Sequence, residues 1–422
     1  MDVVTPRPTV PTAVFAAAGA GAAAMRYQFG PGLSLCLVVA VALAPVWLSV
    51  LKEYRGARLL VALAIGAAAW GAVLTLSDTE RPSSTSLLIA STSQLLSLVG
   101  GAGLLLWARS VLGVAYTVVA FGAGALVNVV LTGGNPANLW KYSLAVPVAL
   151  IVLGLCMLTR SRLAPIVALT AFAAISALSD SRSMTSFMLM AVAALIWQAS
   201  APTVDSRPRP WQTLLWLSAA ALGAYMLLQA LILEGVLGEA AAQRSQAQLD
   251  TSGSLITGGR PELGAAVALI GVRPLGYGSG TVPVSSDVWL AKTGMHELGY
   301  NPNNGYVDVF MFGGHYEVHS VTGDLWVWFG PLGAALAALI VATGVAGTAT
   351  RLSTRAASGV LVLLTLLGTW DALFSPMLTS YRTLALLFAV AALPVARGLV
   401  TAAPAPSSHR SGASAWGRSK RS

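Results

Sequence analysis

The chain has 422 residues, of which 56% are hydrophobic and only 10% are charged, and its formal net charge is +9. Soluble domains carry roughly 25% charged residues. This composition, with a mean hydropathy of +0.73, therefore excludes an ordinary soluble protein and predicts a polytopic membrane protein. The two cysteines, Cys36 and Cys156, both fall in apolar stretches, so no disulfide framework is indicated.

Twelve apolar stretches approach the roughly 20 residues that a membrane-spanning helix needs. They predict an all-α membrane protein with about 12 transmembrane helices and one large polar loop. The predicted spans are 10–25, 31–51, 58–77, 86–108, 110–132, 140–159, 163–179, 184–200, 211–234, 324–349, 357–374 and 382–400. The first stretch is short and rich in Ala and Gly, so a signal-like segment is its alternative.

These spans divide the chain into four parts. Residues 1–234 hold the first nine spans, and residues 235–323 form the loop, in which short helices are expected. Residues 324–400 hold the last three spans. Residues 401–422, rich in Ala, Pro, Ser and Arg, are predicted to be a disordered basic tail in the cytoplasm.

The basic residues are divided unequally between the two sides of the membrane. With the N-terminus inside, sixteen of the 25 lysines and arginines fall in cytoplasmic segments. Basic residues favour the cytoplasmic side, so both termini are predicted inside and the loop outside. Because this charge lies in short connections between spans, it does not indicate a nucleic-acid partner. The predicted outer set is Arg26, Arg81, Lys141, Arg182, Arg244, Arg260, Arg273, Lys292 and Arg382.

Two arginines on this outer side lie at predicted helix starts. Arg182 precedes the eighth span, and Arg260 precedes Pro261 and Glu262, which suit the first turn of a helix running to about Val272. Each could hold an anion together with the helix N-terminus. Each could equally be a solvated flanking residue, and the local sequence leaves both interpretations open.

The loop also contains three of the four histidines. His315, Glu317 and His319 form a His-x-Glu-x-His pattern, which an extended segment would place on one face. It is not the His-Glu-x-x-His of zinc proteases, and we predict no metal site. A base needs only one orienting group, so His319 is a candidate base, with a structural histidine as the alternative. Acids that could orient it or bind sugar hydroxyls are Asp287, Glu297, Asp308, Glu317 and Asp324.

Three motifs follow one another in the second half of the chain. Ser181-Arg182 opens a span, Gly259-Arg260 precedes a short helix ending in Pro274-Leu-Gly276-Tyr-Gly278-Ser-Gly280, and His319 precedes an apolar helix with glycines at Gly330 and Gly333. Together they resemble the O-antigen ligase and O-antigen polymerase superfamily of bacterial membrane glycosyltransferases. The resemblance covers roughly residues 170–340. Ser320 and Gly323 depart from it, standing where the family usually has asparagine and leucine.

This resemblance implies a GT-C-like fold and a metal-independent, cofactor-free, inverting transfer of a glycan from a polyprenyl diphosphate to a glycan, glycolipid or protein acceptor. The reaction would take place on the outer face of the bacterial cytoplasmic membrane. Arg182 and Arg260 would hold the diphosphate, and His319 would activate the acceptor hydroxyl. Gly278, Glu317 and Asp324 are predicted to complete the substrate-binding set. A polysaccharide or lipid transporter is the alternative, although such a protein would place more polar groups at mid-membrane.

Overall fold

The computed structural model is helical throughout the part that it describes, and contains no strand there. The described residues are 9–395, without residues 31 and 160 and without most of residues 201–259. Three predicted segments therefore lie wholly or mostly outside the described residues. They are the ninth span (211–234), the first part of the loop (235–259) and the tail (401–422).

The helices are labelled in chain order through the described residues. They are α1 (Val10–Ala24), α2 (Leu35–Ala42), α3 (Ala44–Val50), α4 (Ala57–Ser77), α5 (Thr85–Leu112), α6 (Val114–Thr132), α7 (Ala145–Cys156), α8 (Ala164–Leu178), α9 (Arg182–Ser200), α10 (Glu262–Val272), α11 (Ser285–Glu297), α12 (Val321–Ser353), α13 (Gly359–Phe374) and α14 (Met377–Ala391). Two short π-helices, Trp140–Leu144 and Tyr306–Met311, precede α7 and α12.

Five of the described helices are long and apolar enough to cross a membrane: α4, α5, α6, α9 and α12. The pair α2 and α3, with the single turn after it, adds a sixth if this pair, bent by 78°, counts as one span. The described part of the chain is thus all-α, with five or six candidate membrane spans.

The remaining apolar helices are shorter, at 10–17 residues. Four of them, α1, α8, α13 and α14, overlap predicted spans, and α7 with its π-helix overlaps another. Each predicted span that falls on described residues thus overlaps a helix or a bent helix pair. A total of 12 membrane crossings stays a prediction.

Apolar side chains form two separate clusters. The larger one joins the long helices, with α12 packed on α4, α13 and α14, and α5 packed on α1, α2 and α14. The smaller one contains Ala265, Leu269, Met295, Met311 and Tyr316 and lies between α10, α11 and the second π-helix. The described part of the predicted loop therefore has a hydrophobic core of its own.

Helix α12 is broken near its start, and the break seats the loop on the bundle. Gly330 has φ 63° and ψ −155°, and Pro331 follows it. That backbone conformation is essentially restricted to glycine. The turn around Gly276 packs against Gly330, and the indole of Trp70 on α4 donates to the Leu275 carbonyl at 3.0 Å.

Candidate active site in a basic cavity

A cavity of about 860 Å³ lies among α6, α7, α9, α13 and α14, with the turns after α1 and before α10 completing its wall. One part of its lining is apolar, including Phe121, Val129, Met184, Phe187 and Leu367. The rest is polar, with hydroxyl groups from Ser143, Ser181, Ser183, Ser375, Thr379 and Ser380. Such a cavity suits a ligand that is part lipid and part polar.

The charge of this lining is strongly positive. Its charged members are four cations, Arg26, Lys141, Arg260 and Arg382, and one carboxylate, Asp371. All four cations belong to the set that the sequence predicts on the outer side. A concave wall of one sign concentrates ions of the opposite sign, so this cavity favours an anion.

Arg260 lies where the loop meets the cavity. Its guanidinium is 5.6 Å from the ring centre of Trp370 on α13, and its charge acts on the neighbouring Asp371. Helix α10 begins two residues later, with Glu262 in its first turn, so the helix predicted from about Pro261 to Val272 is confirmed. The start of that helix sets Arg260 at the cavity wall.

Arg182 lies at the edge of this site. Ser181 and Ser183 line the cavity, but Arg182 itself is not part of the lining. Its Nε lies 3.7 Å from the Asp180 carboxylate, and its side chain is 36% exposed. The structure therefore brings the start of α9 to the cavity, and leaves the Arg182 guanidinium beside an acid at the rim.

His319 occupies a tight turn just before α12. Its φ of 52° is unusual for a residue with a side chain. The turn is held from both sides, because Ser320 Oγ accepts from Gly323 N at 3.1 Å and donates to the Ala372 carbonyl at 3.1 Å. Ala372 follows the cavity residue Asp371, so this turn is fixed directly behind the cavity wall.

The neighbours of His319 are suited to orienting an imidazole. Its Nε2 lies 3.5 Å from Glu317 Oε1, while the other carboxylate oxygen is 3.8 Å from His315 Nε2. The ring of Tyr306 packs on His319 with 5.3 Å between ring centres. The charge of Arg260 also acts on Tyr306.

Tyr306 is itself held in place by a strong hydrogen bond. Its hydroxyl donates to Glu262 Oε1 at 2.6 Å. Burial and the charge of Glu262 both raise the pKa of Tyr306, so the phenol stays protonated. This bond connects the first turn of α10, which follows Arg260, to the ring against which His319 rests.

The two departures from the superfamily pattern have local explanations. Ser320 caps α12, and serine and asparagine are both favoured at that position. At Gly323 an added Cβ would come within 2.7 Å of a Val318 methyl group and 3.3 Å of the Ala266 Cβ. The Val318 side chain and helix α10 thus leave no room for a larger residue there.

The structure assigns different surroundings to the candidate acids. Glu317 is the one beside His319. Asp308 pairs with Lys292 at 2.7 Å, and Asp287 binds Arg81 at 2.6 Å. Asp324 is fully buried and accepts from the backbone N–H groups of Val318 and Met377 at 2.7 and 2.9 Å. Its geometry favours fixing the His319 turn rather than the predicted contact with a substrate.

Gly278 also has a packing role. It is buried, with φ 111°, and an added Cβ would come within 2.7 Å of Thr75 on α4. Its predicted contact with a substrate stays a prediction. Among the described residues, no group of three or more His, Cys, Asp or Glu side chains is arranged to hold a metal ion.

Three cavity cations were missed as site residues by sequence reasoning. Lys141 is the second residue of a π-helix, Arg26 follows α1, and Arg382 lies inside α14, which begins at Met377 rather than at residue 382 as predicted. The only signal that they share is their predicted outer position. Pro376, just before α14, marks where that helix starts.

Comparisons with protein-family models, with curated proteins and with solved structures gave no match to this chain.

Proposed function

We propose that the protein is a membrane glycosyltransferase of the O-antigen ligase or polymerase type. It transfers a glycan from a polyprenyl diphosphate to an acceptor hydroxyl on a glycan, glycolipid or protein. The observation that carries this proposal is the cavity of about 860 Å³, in which four cations face one carboxylate beside an apolar wall. A lipid diphosphate combines the same two chemistries.

The reaction is one displacement at the anomeric carbon. The acceptor oxygen forms a bond to that carbon, and the bond from carbon to the diphosphate oxygen breaks with its electron pair. Negative charge therefore grows on the diphosphate, and a fixed cation such as Arg260 stabilises the transition state more than the ground state. Arginine suits this role because its planar fork donates two parallel hydrogen bonds to phosphate oxygens.

His319 takes the proton that leaves the acceptor hydroxyl. Glu317 orients the imidazole and stabilises its charge once it is protonated, as a third group does in other base-assisted displacements. The contact of Tyr306 with His319, together with its hydrogen bond to Glu262 two residues after Arg260, supports this assignment, because it ties the base to the segment that carries a diphosphate-binding arginine. Arg182, at the rim, attracts the donor to the cavity.

The site faces the outside of the bacterial cytoplasmic membrane in this proposal. The four cavity cations come from the chain segments that charge distribution predicts on that side, and the outer leaflet is where a flipped lipid-linked glycan becomes accessible. The lipid bilayer supplies the donor laterally. No cofactor or metal is needed for the displacement as written.

A lipid or polysaccharide transporter is the second candidate. One observation favours it: Arg382 is only 6% exposed and lines the cavity from within the apolar helix α14. Buried charges within membrane helices mark substrate paths in transporters. Transport would move the glycan without making a new glycosidic bond.

Reconstitution separates the two candidates. Purified protein in vesicles is supplied with a polyprenyl-diphosphate glycan and candidate acceptors, and products are resolved by size. A transferase gives an enlarged acceptor or a longer glycan and releases polyprenyl diphosphate. Movement of intact lipid-linked glycan across the vesicle, without either product, would contradict the proposed function and support the transporter.

A further inference from the structure

Arg382 is a buried cation that the displacement chemistry above does not use. It is 6% exposed, lines the cavity and lies 4.9 Å from the ring centre of its neighbour Tyr381. Within the described part of the chain, no carboxylate lies within ion-pair distance of Arg382. A buried charge without an ionic partner is costly, because burying one ion loses hydration worth on the order of several kcal/mol.

Arg26 adds a second positive charge at the same place. The charges of Arg26 and Arg382 act on each other, and both act on Tyr381. Arg26 is also fixed in position, because its backbone N–H donates to Asn128 Oδ1 at 2.7 Å. Two arginines that repel each other across a cavity wall are stabilised when an anion lies between them.

The cavity carboxylate does not neutralise this pair. Asp371 accepts a hydrogen bond from Ser375 Oγ at 2.7 Å, and the cation that acts on it is Arg260. The remaining cavity cation, Lys141, donates to the Asp180 carbonyl at 3.0 Å. Neither Arg26, which is exposed, nor Arg382, which is buried, has a carboxylate partner among the described residues, and a diphosphate diester carries two negative charges.

We propose that Arg26 and Arg382 form an anion subsite that holds the diphosphate group of an isoprenoid lipid. The apolar lining of Phe121, Phe187 and Leu367 accommodates the first part of the lipid chain. This inference deepens the proposed function, and rests on it for the identity of the lipid. It places the diphosphate deeper in the bundle than the rim position of Arg182.

Binding is measured with the full-length protein in discs of neutral phosphatidylcholine. The probes are polyprenyl diphosphate without a sugar, polyprenyl monophosphate and phosphatidylglycerol. The variants are Arg382→Gln and Arg26→Gln, and the control is Arg58→Gln, an exposed arginine at the start of α4 that does not line the cavity. Each of the two cavity variants is expected to weaken binding of polyprenyl diphosphate by roughly 30-fold or more, and the control to leave it unchanged.

A ligand-free stability measurement separates this role from a structural one. Because Arg382 has no ionic partner in the described structure, Arg382→Gln is expected to keep or raise the unfolding temperature without lipid, and to lose the increase that polyprenyl diphosphate produces. Lower stability with unchanged affinity would overturn the subsite. Equal, Arg382-dependent binding of phosphatidylglycerol would also overturn it, since the subsite would then hold an ordinary phospholipid.

Failure of the subsite and failure of the proposed function give different results. If Arg382→Gln and Arg26→Gln bind the diphosphate normally while the wild type transfers glycan, the subsite is wrong and the transferase stands. If the wild type binds polyprenyl diphosphate through Arg382 but forms no glycosidic bond with any acceptor, the subsite stands and the transferase is wrong.

Discussion

At the scale of single residues, His319 combines an unusual backbone with a suitable set of neighbours. Its positive φ means that alanine would change the backbone as well as the side chain. Asparagine tolerates the left-handed region and cannot act as a base. We therefore expect His319→Asn to slow glycan transfer by roughly 10²–10⁴-fold, the usual worth of a positioned acid–base group, with little change in unfolding temperature.

His315→Asn is the matched control for this variant. The Nε2 atom of His315 lies 3.8 Å from the other carboxylate oxygen of Glu317, and its side chain is 38% exposed. His315 therefore shares the carboxylate with His319, but it does not occupy the turn before α12, and the ring of Tyr306 packs on His319 instead. Near-normal transfer is expected. If His315→Asn failed while His319→Asn remained active, the base would be wrongly assigned.

Arg260 provides a second test at the residue scale. Arg260→Lys keeps the positive charge, but loses the planar fork and its position over Trp370. Initial rates of transfer should fall by at least about tenfold, because one good bidentate phosphate contact is worth more than 1.4 kcal/mol. Arg58→Lys, which changes an exposed arginine outside the cavity in the same way, should leave the rate unchanged. Equal rates for all three proteins would exclude Arg260 from phosphate binding.

At the scale of elements, the break in α12 decides how the loop sits on the bundle. Gly330→Ala puts a side chain into a backbone conformation that costs about 1–3 kcal/mol, and its Cβ would collide with the Leu275 carbonyl. We expect a lower unfolding temperature and faster proteolysis of the loop. Gly271→Ala is the control, because that helical glycine has open space around it and alanine favours a helix. Equal behaviour of the two variants would show that the break is unimportant.

A buried ion pair also holds the loop to the bundle. Asp287 on α11 binds Arg81, which follows α4, and both side chains are under 10% exposed. Arg273 binds Asp78 and Glu80 in the same cluster. Arg273, which the sequence only places on the outer side, therefore also joins the loop to the bundle. Asp287→Asn would remove the shortest ion pair of the buried Arg81 and leave it only its longer contacts with Asp78 at 3.4 Å and Glu80 at 3.2 Å, at a cost of about 2–3 kcal/mol in unfolding free energy. Glu80→Gln, at a 72% exposed side chain, should cost less than about 1 kcal/mol.

The same cluster predicts a dependence on pH. Burial alone would raise the pKa of Asp287, but the hydrogen bonds from Arg81 and Tyr316 outweigh it and lower that pKa below its ordinary value. A carboxyl group whose pKa is lowered in the folded state stabilises the fold fully above its ordinary pKa. This contribution is lost as the pH falls through the lowered pKa. Unfolding of the loop should therefore depend little on pH above about pH 5 and become easier below about pH 4. In Asp287→Asn this part of the acid dependence should disappear.

At the scale of the whole molecule, periodicity and hydropathy located the helices but not their packing. The short helix after Arg260 was predicted nearly to the residue because Pro261 and Glu262 are local signals. The breaks at Leu43 and Gly330 were not predicted, since a hydropathy window averages over them. Arg26, Lys141 and Arg382 lie far apart in sequence, so only tertiary packing could show that they share a cavity. The position of Arg382 inside a helix was also missed, because the predicted last span started at this charged residue.

Sidedness is the remaining prediction for the whole molecule, and labelling of single cysteines tests it. In a background where Cys36 and Cys156 are alanine, we place one cysteine at Trp289, 69% exposed on α11, or at the exposed Lys52 after α3. The charge distribution puts Trp289 outside and Lys52 inside. An impermeant thiol reagent added to intact cells should therefore label the cysteine at position 289 at once, and the one at position 52 only after the membrane is opened. The reverse pattern would put the four cavity cations on the cytoplasmic side, where a transferase using flipped lipid-linked glycans has no donor.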